Sequence, residues 1–353
     1  MKNLSPITSH RFFAAVLAGC ALFATVPPAG AADPSYAVVA RWKLGGAGGW
    51  DYLTIDSARG RLFVTRGDRV EVLDAASGKL LGVVPGTQGV HGVALAPDLK
   101  RGYTSNGRSN SVTEFDYDSL AVLRELPISG QNPDAIVYDV GTHRVITFNG
   151  RSKDATVIDT ATFKVIATLP MPDKPEFAAS DGAGHLYVNI ESEAGQILAI
   201  DAAKPSITAT WPLPGCASPS GLALDTDQQR LFSVCDGKVM VVTDIANGHQ
   251  LARVAIGSGP DAAAFDAAHG LAFSSNGEGS LTVVRTESRM HYPVAQTLAT
   301  QRGARTMAFD PATRRIYLAT ADFGPAPAAT PEQPHPRPAL IPDSFTILVA
   351  APL

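Results

Sequence analysis

The chain has little of what marks the commonest enzyme classes. It carries no HExxH pattern, no Walker loop and no GxGxxG in a βαβ setting, so the familiar zinc-protease, nucleotide-triphosphate and dinucleotide sites are excluded. Cysteine is scarce, at three in 353 residues, and the spacing fits no standard zinc pattern. Basic charge is not in excess: the formal net charge is −4, which weighs against a nucleic acid partner. Long helical periodicity is lacking, while Gly and Pro are abundant, a balance that favours short strands joined by turns. The one long apolar run, 12–26, is too short for a membrane span.

That run instead reads as an export signal. Lys2 and Arg11 precede it, and Ala29-Gly30-Ala31-Ala32 follows it as a cleavage site. Residues 1–31 are therefore expected to be removed, leaving a periplasmic or secreted domain two units more acidic than the whole chain. Leu17-Ala18-Gly19-Cys20 also matches a lipoprotein box, an alternative that would anchor the domain through Cys20. Without Cys20, Cys216 and Cys235 remain, and two cysteines in an exported protein are most simply one disulfide.

What is present is a repeat. The runs GWDYLTID, VHGVALA, PDAIVYD, PEFAASD, PSGLALD, PDAAAFD and ARTMAFD align on Asp56, Ala96, Asp139, Asp181, Asp225, Asp266 and Asp310. Successive gaps are 40, 43, 42, 44, 41 and 44 residues. Four short strands at that period predict an all-β, seven-bladed β-propeller over 35–353. Its blades are expected at about 47–88, 89–131, 132–174, 175–218, 219–259, 260–303 and 304–353. The last is short of one strand, which 36–44 supplies, so the chain ends close the ring. Asp74, Asp116, Asp159, Asp201 and Asp244 end third strands; each is read as opening a turn through bonds to backbone N–H groups, not as part of a carboxylate cluster.

The forms RGYTSNG, GHLYVNI and LAFSSNG resemble YVTN-repeat propellers of the YncE-like type. The resemblance covers essentially the whole mature chain and implies a fold; it is weak for function, since such folds bind, scaffold and catalyse. Trp50-Asp51 is not the WD40 pair, because it opens a first strand. The absence of a Trp closing each turn departs from eight-bladed quinoprotein dehydrogenases.

Propeller topology puts first-strand starts and second-strand ends on one face. Five residues before each alignment point stand Asp51, His91, Asp134, Glu176, Ser220, Asp261 and Arg305, expected to line the channel mouth. Beyond the second strands stand Arg66, Asn106, Asn149, Asn189, Cys235, Asn276 and Thr320, expected as a wider ring. All are candidates for ligand binding, although an Asn followed by Gly also serves a turn. Arg305 is expected between Asp261 and Asp51, and His91 between Asp51 and Asp134. Asp134 and Glu176 then have no fixed cation beside them, which makes His91, Asp134 and Glu176 an N/O ligand set for a divalent metal. Waters and partial ion pairs satisfy the same ring without a metal. Alternation is expected to bury Trp50 and Tyr52 between blades, with Trp50 able to reach the mouth. Ser220 and His91 fall on opposite sides of the channel, and no nucleophile elbow surrounds Ser220.

Three functions compete. The first is an exported, monomeric binding or scaffolding module for a small molecule or peptide. The second is a metal-dependent hydrolase or lyase acting on a lactone or ester, with Asp261 as base and Arg305 or Arg66 stabilising an anion. The third is a module that binds an envelope protein through the Pro-rich excursion, 323–342, whose basic groups are His335 and Arg337.

Overall fold

The computed structural model describes residues 1, 3, 35–328, 330 and 338–353. Of the segment read as an export signal, 1–31, residues 1 and 3 alone are described, and Cys20, His335 and Arg337 lie outside the described residues. Residues 34–353 form one compact unit.

It is all-β, built of antiparallel sheets in a propeller-like arrangement. Among the described residues five sheets have four strands and one has seven. The seven-stranded sheet arises because Leu80–Ala96 is one 17-residue strand. Its first half pairs with Gly67–Asp74, and 90–96 pairs with Arg101–Asn106. The strands that open the repeat units end at the alignment points read from the sequence: Leu53–Asp56, Leu80–Ala96, Pro133–Asp139, Pro219–Asp225, Pro260–Asp266 and Thr306–Asp310. Lys174–Ser180 stops one residue before Asp181. Each opening strand packs on the next, and Thr306–Asp310 packs back on Leu53–Asp56, which closes the circle.

The two chain ends share a sheet. Tyr36–Lys43 pairs with Thr346–Pro352, from Tyr36 against Pro352 to Lys43 against Thr346. Thr346–Pro352 in turn pairs with Arg315–Thr320. The edge that Thr346–Pro352 would otherwise expose is thereby covered.

The core lies between neighbouring sheets. Ile146, Phe148 and Val157 of one sheet meet Ala178, Leu186 and Val188 of the next, and Phe273 meets Ile316 and Leu318 in the same way. Full burial of each such side chain stabilises by about 1.5–3 kcal/mol, and packing on both faces explains why alternation in the sequence is only partial.

The third-strand aspartates do what their turn reading requires. Asp74 Oδ1 accepts from the Ser77 and Ala76 amides at 2.8 and 3.2 Å. Asp116, Asp159, Asp201 and Asp244 accept from amides two or three residues on in the same way.

Candidate functional site

The starts of the opening strands converge on a polar cavity of about 360 Å³. Asp51, Asp134, Glu176, Ser220, Asp261 and Arg305 border it, six of the seven positions expected at the mouth. The seventh, His91, borders an adjoining cavity of about 490 Å³ together with Asp51, Trp50 and Asn132. His91 Nδ1 lies 2.6 Å from Asp51 Oδ2 and 3.6 Å from Asp134 Oδ1. Arg305 Nε lies 3.5 Å from Asp261 Oδ2. The neighbours expected around the ring are therefore together. Ser220 Oγ donates to the Pro260 carbonyl at 3.1 Å, not to a histidine.

Three of the carboxylates are poorly served. Asp134 is 8% exposed, yet among the described residues neither it nor Asp261 accepts a hydrogen bond on its carboxylate. Glu176 Oε2 is buried and has no aligned donor either. Removal from water dominates their ionisation. Burial pushes Asp261 up to about 6, against the pull of Arg305. Burial likewise raises Asp134, with His91 opposing and Asp51 adding, and raises Glu176, with Asp134 adding and Lys174 opposing. For His91, burial favours the neutral ring, but the bond to Asp51 and the charge of Asp134 outweigh it and lift the group to about 9. His91 is thus an imidazolium at neutral pH, beside Asp134, a carboxyl group that holds its proton more tightly than usual.

Lys174 is the group that sequence reasoning missed. Its Nζ lies 2.9 Å from Glu176 Oε2 as an ion pair without hydrogen-bond alignment, and it also pairs with Glu191. Glu176 therefore has a fixed cation, contrary to expectation, and the compact ligand set becomes Asp51, His91 and Asp134, whose ligating atoms lie within 4.8 Å of one another. A signal for Lys174 existed. Seven residues before each alignment point stand Gly49, Gly89, Asn132, Lys174, Ser218, Gly259 and Gly303, and one of these seven is charged. Glu191, the last residue of its second strand, and Asp236, one residue past Cys235, also border the cavity; they stand two residues and one residue beyond the wider-ring positions Asn189 and Cys235.

The wider ring is a correction. Arg66, Asn106, Asn149, Asn189, Cys235, Asn276 and Thr320 are all fully buried, so none reaches a ligand at the mouth. Nor do Asn106, Asn149 and Asn276 take left-handed backbone. Each ends its strand with the side chain turned inward. Asn106 Nδ2 donates to Thr113 Oγ1 and Ser111 Oγ at 2.8 and 3.2 Å, and its Oδ1 accepts from Thr104 at 2.8 Å. Asn149 binds Thr156, Asp154 and Thr147 in the same pattern, and Asn276 binds Thr282, Ser280 and Ser274. Asn189 instead reaches the next sheet, donating to the Ser220 and Gly221 carbonyls at 2.9 and 3.1 Å. Arg66 lies over the Phe345 ring at 3.7 Å and donates to the Gly45 carbonyl at 2.9 Å, which removes it as an anion stabiliser. Tyr52 is also corrected. It borders the cavity and packs on Phe177, with ring centres 5.3 Å apart, so it is not sealed between blades. Burial, with the charges of Asp134, Glu176, Asp51 and Asp261, keeps its phenol protonated.

Cys235, the wider ring's member in the fifth repeat, is bonded to Cys216, with Cα atoms 5.2 Å apart. Both are fully buried. The bond ties the 213–218 loop to the strand end that precedes Asp236, so it holds two parts of the cavity wall, Ser218 and Asp236.

No family model matches the chain, and neither does any curated protein. Solved structures do. The chain is similar to hydrazine synthase of Kuenenia stuttgartiensis at 16% identity and a TM-score of 0.68, covering 76% of this chain and 92% of that one. It is similar to U3-55K at 13% identity and a TM-score of 0.73, covering 90% and 100%. A mitotic checkpoint complex chain gives 14% identity and a TM-score of 0.72, covering 97% and 98%. At such identities the likeness is one of fold. Among the described residues no helix is long and apolar enough to cross a membrane. The architecture is that of a β-propeller.

Proposed function

We propose that this is an exported, seven-bladed propeller of the YVTN-repeat type that binds a small, donor-rich cationic molecule at its channel mouth. Seven blades follow if Leu80–Ala96 is both the last strand of one blade and the first of the next, as its pairing with strands on both sides supports. Export agrees with the disulfide. One observation carries the ligand class. Asp134, Glu176 and Asp261 border a cavity of about 360 Å³, are held largely out of water, and receive no aligned hydrogen bond from the described residues. Buried acceptors left so call for a donor, and an organic ammonium or hydroxylated cation supplies both charge and N–H or O–H groups. Tyr52 adds a ring face on which a cation can rest. The test is titration calorimetry with putrescine, choline and an amino sugar against the native protein and the D134N/E176Q double variant. Saturable binding lost in the variant supports the reading. A melting point that no cation moves sinks it.

A second reading has its own support. Asp51, His91 and Asp134 offer a compact N/O set for a divalent ion, which would polarise a lactone or ester carbonyl. Asp261, lifted to about 6, is suited to accept a proton, and Arg305 beside it to steady an anion. Elemental analysis of protein purified without chelator decides it, paired with melting before and after EDTA. About one ion per chain, with a melting point that falls on chelation and recovers on re-addition, favours the metal. No ion and no shift leaves the cation reading.

A further inference from the structure

A cavity of about 400 Å³ lies beside the channel mouth and differs from it in chemistry. Trp50, Phe323, Pro338 and Leu340 give it apolar walls, and Arg302, Arg305 and Thr306 give it polar ones. It is a built wall, not a loose cleft. The Trp50 ring is set by Phe345, with ring centres 5.0 Å apart. Phe323 and Leu340 pair as a β-bridge, supported by the Gly324 amide on the Ala339 carbonyl at 2.8 Å. Phe323 is seated on Gly303, where any side chain would put its Cβ 2.5 Å from the ring and where φ is +83°.

The polar groups are short of partners. Among the described residues Arg302 forms no ion pair and its side chain donates no hydrogen bond. Arg305 has Asp261 at 3.5 Å and likewise donates none. Thr306 is 3% exposed, and its hydroxyl has no partner. The buried hydroxyl lacks an acceptor, and beside it stand one unpaired guanidinium and one held only by the Asp261 ion pair, an arrangement that favours an anionic guest able to accept charge-assisted hydrogen bonds.

We propose that this vestibule binds small apolar carboxylates. Arg302 and Arg305 take the carboxylate, the Thr306 hydroxyl donates to one of its oxygens, and an aryl or alkyl tail packs on Trp50, Phe323 and Leu340. The volume is within the range that encloses a small molecule. The charge preference is opposite to that of the channel, so the proposal does not rest on the channel reading. Arg305 borders both cavities, so a carboxylate there competes with Asp261 for the same guanidinium.

The experiment is titration calorimetry of the full mature chain with 4-phenylbutyrate, and with 4-phenylbutanol as the uncharged match. The acid is expected to bind saturably and at least about tenfold more tightly than the alcohol, the effect of losing charge-assisted hydrogen bonds. R302Q, a substitution at an exposed side chain, is expected to weaken the acid by about tenfold while leaving the melting point in place. F323A is expected to weaken acid and alcohol alike. Equal affinity for acid and alcohol overturns the proposal. So does acid binding that survives the R302Q/R305Q double variant, or the absence of binding at millimolar acid.

Discussion

The inner and outer polar rings occupy equivalent places in successive repeats, yet they are opposites. Around Asn106, Asn149 and Asn276 every donor and acceptor of the amide is matched by a hydroxyl or carboxylate within its own sheet. Around Asp134, Glu176 and Asp261 the described residues supply charge but no aligned hydrogen bond. The outer ring stabilises the fold because its polar groups are buried and satisfied. The inner ring costs the fold something, because its carboxylates are buried and unsatisfied. Polar residues repeated around an axis are thus not all one kind of evidence; their partners decide.

The largest test of that contrast is at the outer ring's covalent member. Replacing Cys216 and Cys235 by Ser is expected to cost roughly 3 kcal/mol on the chain-entropy account, read by denaturant unfolding of the oxidised native protein against the double variant. Equal midpoints would remove the disulfide from the stabilising side. Next is N276A, which strands the Ser274 and Thr282 hydroxyls and should cost about 2 kcal/mol. A loss near zero would mean that water replaces the amide and that the outer ring is no better satisfied than the inner.

The inner ring should show itself through pH. Asp261 is raised from an ordinary 3.8 to about 6, and His91 from 6.5 to about 9. In both windows the folded state holds more protons than the unfolded chain, so stability falls as pH rises through each. The native protein is expected to lose about 1–2 kcal/mol between pH 4 and 6, and D261N to flatten that part of the curve. A native curve that climbs over the same interval would reverse the assignment. The smallest effect is expected from D134N/E176Q, which relieves buried charge and should raise ligand-free stability by about 1 kcal/mol. If the variant melts lower and no longer responds to EDTA, the inner ring is a metal site.

Much of this was legible in the sequence, for a reason that residues make plain. A strand that must turn at Asp56, Asp139 or Asp266 keeps its turn residue and its length, so the repeat and the first-strand positions could be placed by counting. The same counting put His91 beside Asp51 and Asp134. It failed where direction mattered. Asn106 and Asn149 stand at strand ends before Gly, a pattern shared by turns, and nothing local reveals that the side chain points inward to Thr113 or Thr156. Lys174 was missed because its four-carbon stem carries charge across two positions to Glu176, so a search restricted to one register cannot find it. Tyr52 was misplaced because alternation gives a side and not a depth.

The pairing of Tyr36–Lys43 with Thr346–Pro352 has a consequence in time. Loop closure between segments some 300 residues apart is entropically slow, and here it is the step that completes a sheet. A growing chain can build its middle sheets as they emerge, but the 36–43 strand must wait, unpaired, until Thr346–Pro352 has been made. Pulse-labelled hydrogen exchange should find this ladder protected after all the others, so that the seam of the ring is also the clock of its assembly.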